Sequence, residues 1–364
     1  MRHATVCITT INKPKFIEDI IFNAKKYSFK DYNVIIIGDY KSPAGNKDYI
    51  LNLKRKHKVD LNYLDVGDQK KILEKYKRLN SIIPYNWGGR KMLANFLSIK
   101  YKSDITIQID DDNFIQNNNF FQYHSQVGCY KKIPLYSSNN KWFNIYSSLK
   151  EKSNIPIFPR GFLQKKRFET NTIKKYYKKI KIASCNGLVL NDPDIDAFSR
   201  LFWPIQIEAV KKKFLPNFGL MPGTWSTWNN QNTSTYLDLT KIYFTPHCVG
   251  RNADIWTSMV ICKIASHLNE AVTFGQPIVK QNRNPHSLMK DYDEEKLCNL
   301  FNEDFYNLLI NSRLTKNNYL DCMKELIYKC EKQLSAHKKE VYFNFIRNFF
   351  LEYKIWINEV SKLN

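Results

Sequence analysis

The chain has 364 residues, 43% of them apolar and 14% aromatic, enough for a large core and too much for a disordered polymer. A formal net charge of +22 calls for an anionic partner: nucleotide, nucleic acid, membrane surface or acidic polymer. No run of about 18 apolar residues occurs, so no transmembrane helix is expected, and eight cysteines without a Cys-x-x-Cys pair argue against zinc and for a reducing, cytoplasmic compartment.

The first 115 residues read as alternating strands and helices. Ala4–Thr10 is an apolar strand ending in Thr9 and Thr10. Asn12 is placed to cap the next helix, Pro14 suits its first turn, and Glu18 and Asp19 favour its positive end. Residues 33–37 form a second strand that ends in Gly38-Asp39. Residues 61–64 are a weaker third, and 89–101 a helix with Leu93, Phe96 and Leu97 on one face. The run Ile105–Ile109 alternates like a strand and exits into Asp110-Asp111-Asp112. Three adjacent carboxylates repel one another unless a cation neutralises them. Mg²⁺-type sites combine one or two carboxylates with substrate phosphates. The triplet therefore reads either as a clamp for a metal–diphosphate group or as a solvated acidic turn. In open α/β sheets ligands bind beyond the carboxyl ends of the strands. Thr9, Thr10, Asp39 and the triplet share that rim if the strands are parallel. No Gly-x-Gly-x-x-Gly or Walker A sequence occurs, so neither a dinucleotide fingerprint nor a P-loop is supported.

Residues 116–290 read as loop-rich and aromatic, with polar clusters at Pro159-Arg160-Gly161, at 191–196, at 229–233 and at 283–286. From 293 onward apolar residues follow helical spacing. The expected organisation is a nucleotide-binding half over 1–115 and an acceptor half over 116–292. A helical extension covers 293–364.

The order of these clusters resembles nucleotide-sugar glycosyltransferases of the GT-A type. The nearest likeness is to the STELLO-like group (domain of unknown function 288), and a more distant one is to plant reversibly glycosylated polypeptides, which are UDP-arabinopyranose mutases. The segments that carry it are 8–14, 37–43, 110–113, Pro159-Arg160-Gly161, 191–196, Asn230-Gln231-Asn232-Thr233, 251–256 and 281–286. Each is weak alone, and the signal is their common order over roughly residues 4–295. The resemblance implies an α/β, Rossmann-like GT-A mixed sheet flanked by helices, with the C-terminal helical appendage outside it. It also implies Mn²⁺ or Mg²⁺ and a nucleoside-diphosphate sugar, UDP-linked by expectation.

On that resemblance Asp110 and Asp112 match the family Asp-x-Asp, with His286 completing the metal shell, although a lone histidine is more often structural. Donor contacts fall to Thr9, Thr10, Asp39, Arg90, Asp110, Asp111 and Arg283. For Arg90 and Arg283 the plain alternatives are a helix-start arginine and a salt bridge. Asp254 is the candidate general base or acceptor-orienting carboxylate, against an N-cap role. Asp194, Asp196 and Asn232 are candidate acceptor or sugar contacts, against a structural Asp-Pro turn around 192–194. An EF-hand is excluded there because the central Gly and distal Glu are missing. Arg160 occupies the position of the arginine that becomes glycosylated in the plant mutases. Here Phe162-Leu163-Gln164 follows the Arg-Gly pair where the mutases have Tyr-Pro-Phe, so a grip on the diphosphate is the other reading.

The expected activity is sugar transfer from a nucleotide donor to a hydroxyl of a glycan or lipid-linked acceptor, as in surface polysaccharide synthesis. The alternatives are a pyranose/furanose mutase and a nucleic-acid-binding protein. For the latter the charge comes with no recognisable motif. A peripheral contact at a membrane face completes the expectation.

Overall fold

The computed structural model describes residues 2–284, 287–335 and 340–363. Strand β1 (Ala4–Thr10), α1 (Ile17–Lys26), β2 (Tyr32–Gly38), α2 (Asn46–His57) and β3 (Asp60–Leu64) open the chain. Then come α3 (Val66–Leu73), α4 (Lys77–Ile82), a 3₁₀ turn Gly88–Lys91, α5 (Met92–Lys100) and β4 (Ile105–Ile109). The β-branched runs of β1, β2 and β4 are buried on both faces, as parallel strands covered by helices must be. β1 pairs in parallel with β2 on one side and β4 on the other, and β2 pairs with β3.

The middle of the chain is not loop-rich. It supplies β5 (Asn113–Ile115), α6 (Phe120–His124), β6 (Tyr130–Ser138), β7 (Leu149–Glu151), α7 (Gln164–Phe168) and β8 (Ile173–Leu190). α8 (Ala197–Phe202), β9 (Ile207–Val210), β10 (Asn217–Leu220), β11 (Asn232–Tyr236) and α9 (Leu237–Thr240) follow. α10 (Ala253–His267) and β12 (Glu270–Gln281) end this part. Ten strands make one mixed sheet in the order β3-β2-β1-β4-β11-β8-β6-β10-β12-β5, with an added β8–β12 pairing; β7 and β9 form a separate pair. β11 runs antiparallel to β4 with Asn232 opposite Ile109. The segment before β11 therefore returns to the rim where β4 ends.

The α/β architecture, a mixed sheet flanked by helices and followed by C-terminal helices, is as expected. α11 (Leu288–Asn311), α12 (Tyr319–Leu334) and α13 (Glu340–Ser361) share one continuous apolar core with the sheet. The expected boundary at 292/293 falls inside α11. Trp256 of α10 stacks on Phe305 of α11, and Phe244 stacks on Trp356 of α13. α1 begins later than expected, because Asn12 does not cap it. The Asn12 amide donates instead to Asp111 Oδ2 at 3.1 Å.

Candidate active site

The carboxyl ends of β1, β2 and β4 open onto a cleft of about 530 Å³. It collects Thr9, Thr10, Asp39, all three residues of the Asp110–Asp112 triplet, Arg160, Asp194, Asp254 and Arg283. Residues up to 272 positions apart in sequence are thus brought to one rim, as in the bond from Asn12 to Asn284 at 3.4 Å.

The triplet is held from several sides. Thr10 Oγ1 donates to Asp111 Oδ2 at 2.5 Å, so Thr10 orients a carboxylate. Gln281 Nε2 donates to Asp112 Oδ2 at 3.1 Å, and Asn113 Nδ2 to Asp112 Oδ1 at 3.0 Å. Asp110 pairs with Lys91, whose side chain is almost wholly buried (2% exposed) and whose ammonium also donates to Asn230 O at 3.0 Å. Burial, then the neighbouring charge of Asp110, pushes the Asp112 carboxyl up to about 6; burial also raises Asp111. A cleft that destabilises ionised carboxylates in this way is relieved by bound positive charge. Among the described residues no group of three His, Cys, Asp or Glu side chains is arranged to hold a metal ion. One or two carboxylates of the triplet fit a hard cation that completes its shell with substrate phosphate and water. His286 lies outside the described residues.

Across the cleft, Arg160 is saturated. Its Nε and Nη2 fork onto Asp194 at 3.0 and 2.7 Å, Nη2 also reaches Asp254 Oδ1 at 3.4 Å, and Nη1 donates to Arg251 O and, at 3.2 Å, to Asn252 Oδ1. Burial alone would raise Asp194, but the Arg160 charge and hydrogen bonds hold it down at about 2. Asp254 is raised by burial despite Arg160, with Asp194 adding to the rise. Its Oδ2 accepts the Asn230 N–H at 3.2 Å. Arg160 arrives from a turn whose next residue, Gly161, has φ +75°, and a Cβ there would meet Ile255 Cγ2 at 2.2 Å. Only glycine lets this loop sit against the first turn of α10.

Asp39 spends its carboxylate on backbone, accepting from Tyr40 N and Asn86 N, each at 2.7 Å. It thereby fixes the loop that brings Trp87 and Gly88 to the cleft. Arg283 donates to Asp192 Oδ2 at 2.6 Å while lining the cleft.

Three expected site residues lie elsewhere. Arg90 is fully buried behind the cleft wall, bonded to Gln69 Oε1 at 2.9 Å and Ile83 O and set over the Tyr85 ring at 3.7 Å. Asp196 caps α8 through the Ser199 N–H at 2.7 Å and pairs with Arg167. Asn232 sits within the sheet, donating to Pro277 O at 2.8 Å and pairing with His124 at 3.0 Å. Conversely, Lys91 and Gln281 bear directly on the triplet although neither was among the expected site residues. The available signals were, for Gln281, its place at the head of the 281–286 segment and, for Lys91, the adjacent basic pair Arg90-Lys91. The 3₁₀ turn there decides which member faces the cleft.

No protein-family model matches the sequence, and no curated relative does. Among solved structures the chain is similar to glucosyl-3-phosphoglycerate synthase from Mycobacterium tuberculosis, in complex with Mn²⁺ and UDP-glucose (11% identity, 82% of this chain and 78% of that one, TM-score 0.40). It is also similar to S. aureus TarS 1–349 in complex with UDP (10% identity, 99% and 90%, TM-score 0.38). A third is the mannosyltransferase PcManGT from Pyrobaculum calidifontis, in complex with GDP-Man and Mn²⁺ (10% identity, 100% and 85%, TM-score 0.42). The function proposed below rests on the cleft of this chain.

Proposed function

We propose that the chain is a divalent-metal-dependent glycosyltransferase of GT-A type, acting on a nucleoside-diphosphate sugar and a hydroxyl acceptor. The observation that carries this reading is the Asp110–Asp112 triplet at the carboxyl end of a parallel strand, facing a polar cleft that also holds Asp254. Asp110 and Asp112 would hold Mn²⁺ or Mg²⁺ together with the donor phosphates. A cation there supplies charge stabilisation for the departing diphosphate.

The residues of the chain supply the rest. Lys91 pairs with Asp110 at the floor where the phosphates would lie, so the triplet sets one less negative charge against them. Arg283 faces the same space. Thr9, Asp39 and Trp87 line the end suited to the nucleoside. In the transfer step the acceptor oxygen bonds to the anomeric carbon, the bond from that carbon to the diphosphate oxygen breaks, and the acceptor proton passes to Asp254. A carboxylate whose proton affinity is raised by burial is a better acceptor for it. Arg160 is then a positioning residue that sets Asp254 and Asp194. Because its N–H groups are all engaged, the geometry favours a transferase over a mutase that modifies this arginine.

The fold and cleft are compatible with a glycan or lipid-linked acceptor. Among the described residues no helix is long and apolar enough to cross a membrane. The test is a panel of nucleotide sugars with Mn²⁺, followed by NMR with and without chelator, for the natural chain and Asp112→Ala. Metal-dependent release of nucleoside diphosphate that falls about 100-fold or more in Asp112→Ala is expected, the scale for losing a group that stabilises developing charge. A change of sugar ring form with the diphosphate still attached would overturn the transferase reading in favour of a mutase. Unchanged turnover in Asp112→Ala would remove the triplet from the chemistry.

A further inference from the structure

The polar segment Asn229-Asn230-Gln231 bonds to both the Asp110–Asp112 triplet and Asp254. Asn230 N donates to Asp254 Oδ2 at 3.2 Å, and Asn230 O accepts from Lys91 Nζ at 3.0 Å. Gln231 O accepts the Asp110 N–H at 3.1 Å, which anchors the segment to the end of β4. The Gln231 side chain is buried and enters a closed ring with Asn113, Asp112 and Gln281. Its Nε2 donates to Asn113 Oδ1 and to Gln281 Oε1, each at 3.1 Å. Asn113 Nδ2 and Gln281 Nε2 donate in turn to the two oxygens of Asp112, at 3.0 and 3.1 Å. Asn113 and Gln281 are partners across the antiparallel pair of β5 and β12, so the ring is built on a strand pair.

Donor and acceptor types fix the direction of this ring. An ionised carboxylate only accepts, so Asn113 and Gln281 turn their amide nitrogens to Asp112. Their carbonyl oxygens then face Gln231, whose NH₂ group, with two N–H bonds on one atom, serves both. Contacts outside the ring set the same directions. Arg283 is a donor only, and its Nη2 reaches Gln281 Oε1 at 3.2 Å. Asn229 Oδ1 accepts the Gln231 N–H at 3.3 Å, which leaves Asn229 Nδ2 to fill Gln231 Oε1. Each Asp112 oxygen thus takes one N–H. The plane of the carboxylate is fixed, and its remaining lone pairs are left for a cation.

We infer that Gln231 is a positioning residue for a cation at Asp112, acting through Asn113 and Gln281 without touching the carboxylate itself. This role rests on the metal-dependent reading of the triplet. The experiment titrates the full chain with Mn²⁺ in the presence of UDP or GDP, reading free Mn²⁺ by electron paramagnetic resonance, with thermal melts as a check on folding. The variants are Gln231→Met, Gln231→Glu, Asn113→Ala and Gln231→Met/Asn113→Ala. Gln231→Met should weaken Mn²⁺ binding about tenfold, the lower end for losing a partner that orients a metal ligand. Gln231→Glu keeps the shape but offers only acceptors, which turns the two amides round. It should weaken binding by as much, although its added negative charge alone would strengthen it. If Gln231→Met melts below the assay temperature, the isosteric Gln231→Glu carries the test. Adding Gln231→Met to Asn113→Ala should cost less than Gln231→Met costs alone, because one of its two routes is already cut. Unchanged or tighter binding in Gln231→Glu, or fully additive costs in the double variant, would overturn this role. A natural chain that holds Mn²⁺ while both Gln231 variants hold it equally well removes the role and leaves the metal-dependent reading standing. A natural chain that holds no Mn²⁺ with either nucleotide removes both.

Discussion

Two buried cations hold this cleft, and their surroundings predict different consequences for removing them. Arg160 lies between Asp194 and Asp254, all three well shielded from water. Arg160→Met would strand two carboxylates, and breaking a buried pair by removing one partner costs about 3–5 kcal/mol. Urea denaturation should show that loss, and Arg160→Met/Asp194→Asn should recover part of it. A single variant as stable as the natural chain would mean that water reaches the network. Lys91 differs because its partner Asp110 is 38% exposed, so solvent can take up the stranded charge. Lys91→Met should therefore shift the urea midpoint little while lowering turnover about 100-fold, the scale for one charge aimed at a developing anion. The opposite pattern, lost stability with intact turnover, would make Lys91 a structural residue. Both residues stand in the sequence without any mark of burial. Arg160 stands out in the sequence through its Pro-Arg-Gly setting and lines the cleft in the structure, whereas its saturation by Asp194 and Asp254 depends on contacts over 34 and 94 positions.

Elements differ in legibility for a physical reason: apolar periodicity shows only where burial is apolar. β1, β2 and β4 carry β-branched runs and were readable to within a residue. β11 is Asn-Thr-Ser-Thr-Tyr and wholly buried, so its pattern is polar. Its side chains find partners instead, Thr233 on Asn186 at 2.9 Å and Ser234 on His124 O at 3.1 Å. The first seven residues of β8 are all exposed and lysine-rich, which hides a strand paired over residues 173–181 with β6. The rim itself was foreseeable, because parallel strands place Thr9, Asp39 and Asp110 together. The junction of the Arg160 loop with α10 was not, and it yields its own test. Gly161→Ala adds a methyl against Ile255, next to Asp254, and overpacking of this kind costs about 1–3 kcal/mol. Gly223 also has positive φ, at +91°, but with nothing within 4 Å, so Gly223→Ala isolates the backbone strain. Gly161→Ala should lower both the urea midpoint and turnover, and Gly223→Ala only the midpoint, and less. Equal effects at the two glycines would show that contact with Ile255 does not set the site.

At the scale of the whole molecule the C-terminal helices act on the cleft. A 3₁₀ segment at His247–Asn252 leads into α10 and carries Gly250 and Arg251 to the cleft wall. Arg251 pairs with Asp291 at 2.9 Å and Glu295 at 3.3 Å of α11. Glu352 of α13 accepts the His247 N–H at 2.6 Å and the Cys248 N–H at 3.2 Å, and Tyr353 donates to Phe244 O at 2.9 Å. Burial pushes the Glu352 carboxyl from 4.5 up to about 7, outweighing the two N–H bonds that favour its charged form. The folded state thus binds this proton more tightly than the unfolded state does. Its contribution to stability is fully present below about pH 4.5 and declines as pH rises, levelling off above about 7. His247, pushed down from 6.5 by burial, acts in the opposite sense, because its folded state rejects a proton that the unfolded chain binds. The two are separated by comparing the natural chain with Glu352→Gln, which keeps His247 but cannot ionise at 352. Urea midpoints across pH 4.5 to 7.5 should show the natural chain losing stability relative to Glu352→Gln as pH rises, with the difference flat above 7. A natural chain that gains stability relative to Glu352→Gln as pH rises would mean that Glu352 is stabilised as a carboxylate by the His247 and Cys248 amides, and that the tail clamps the cleft wall through charge.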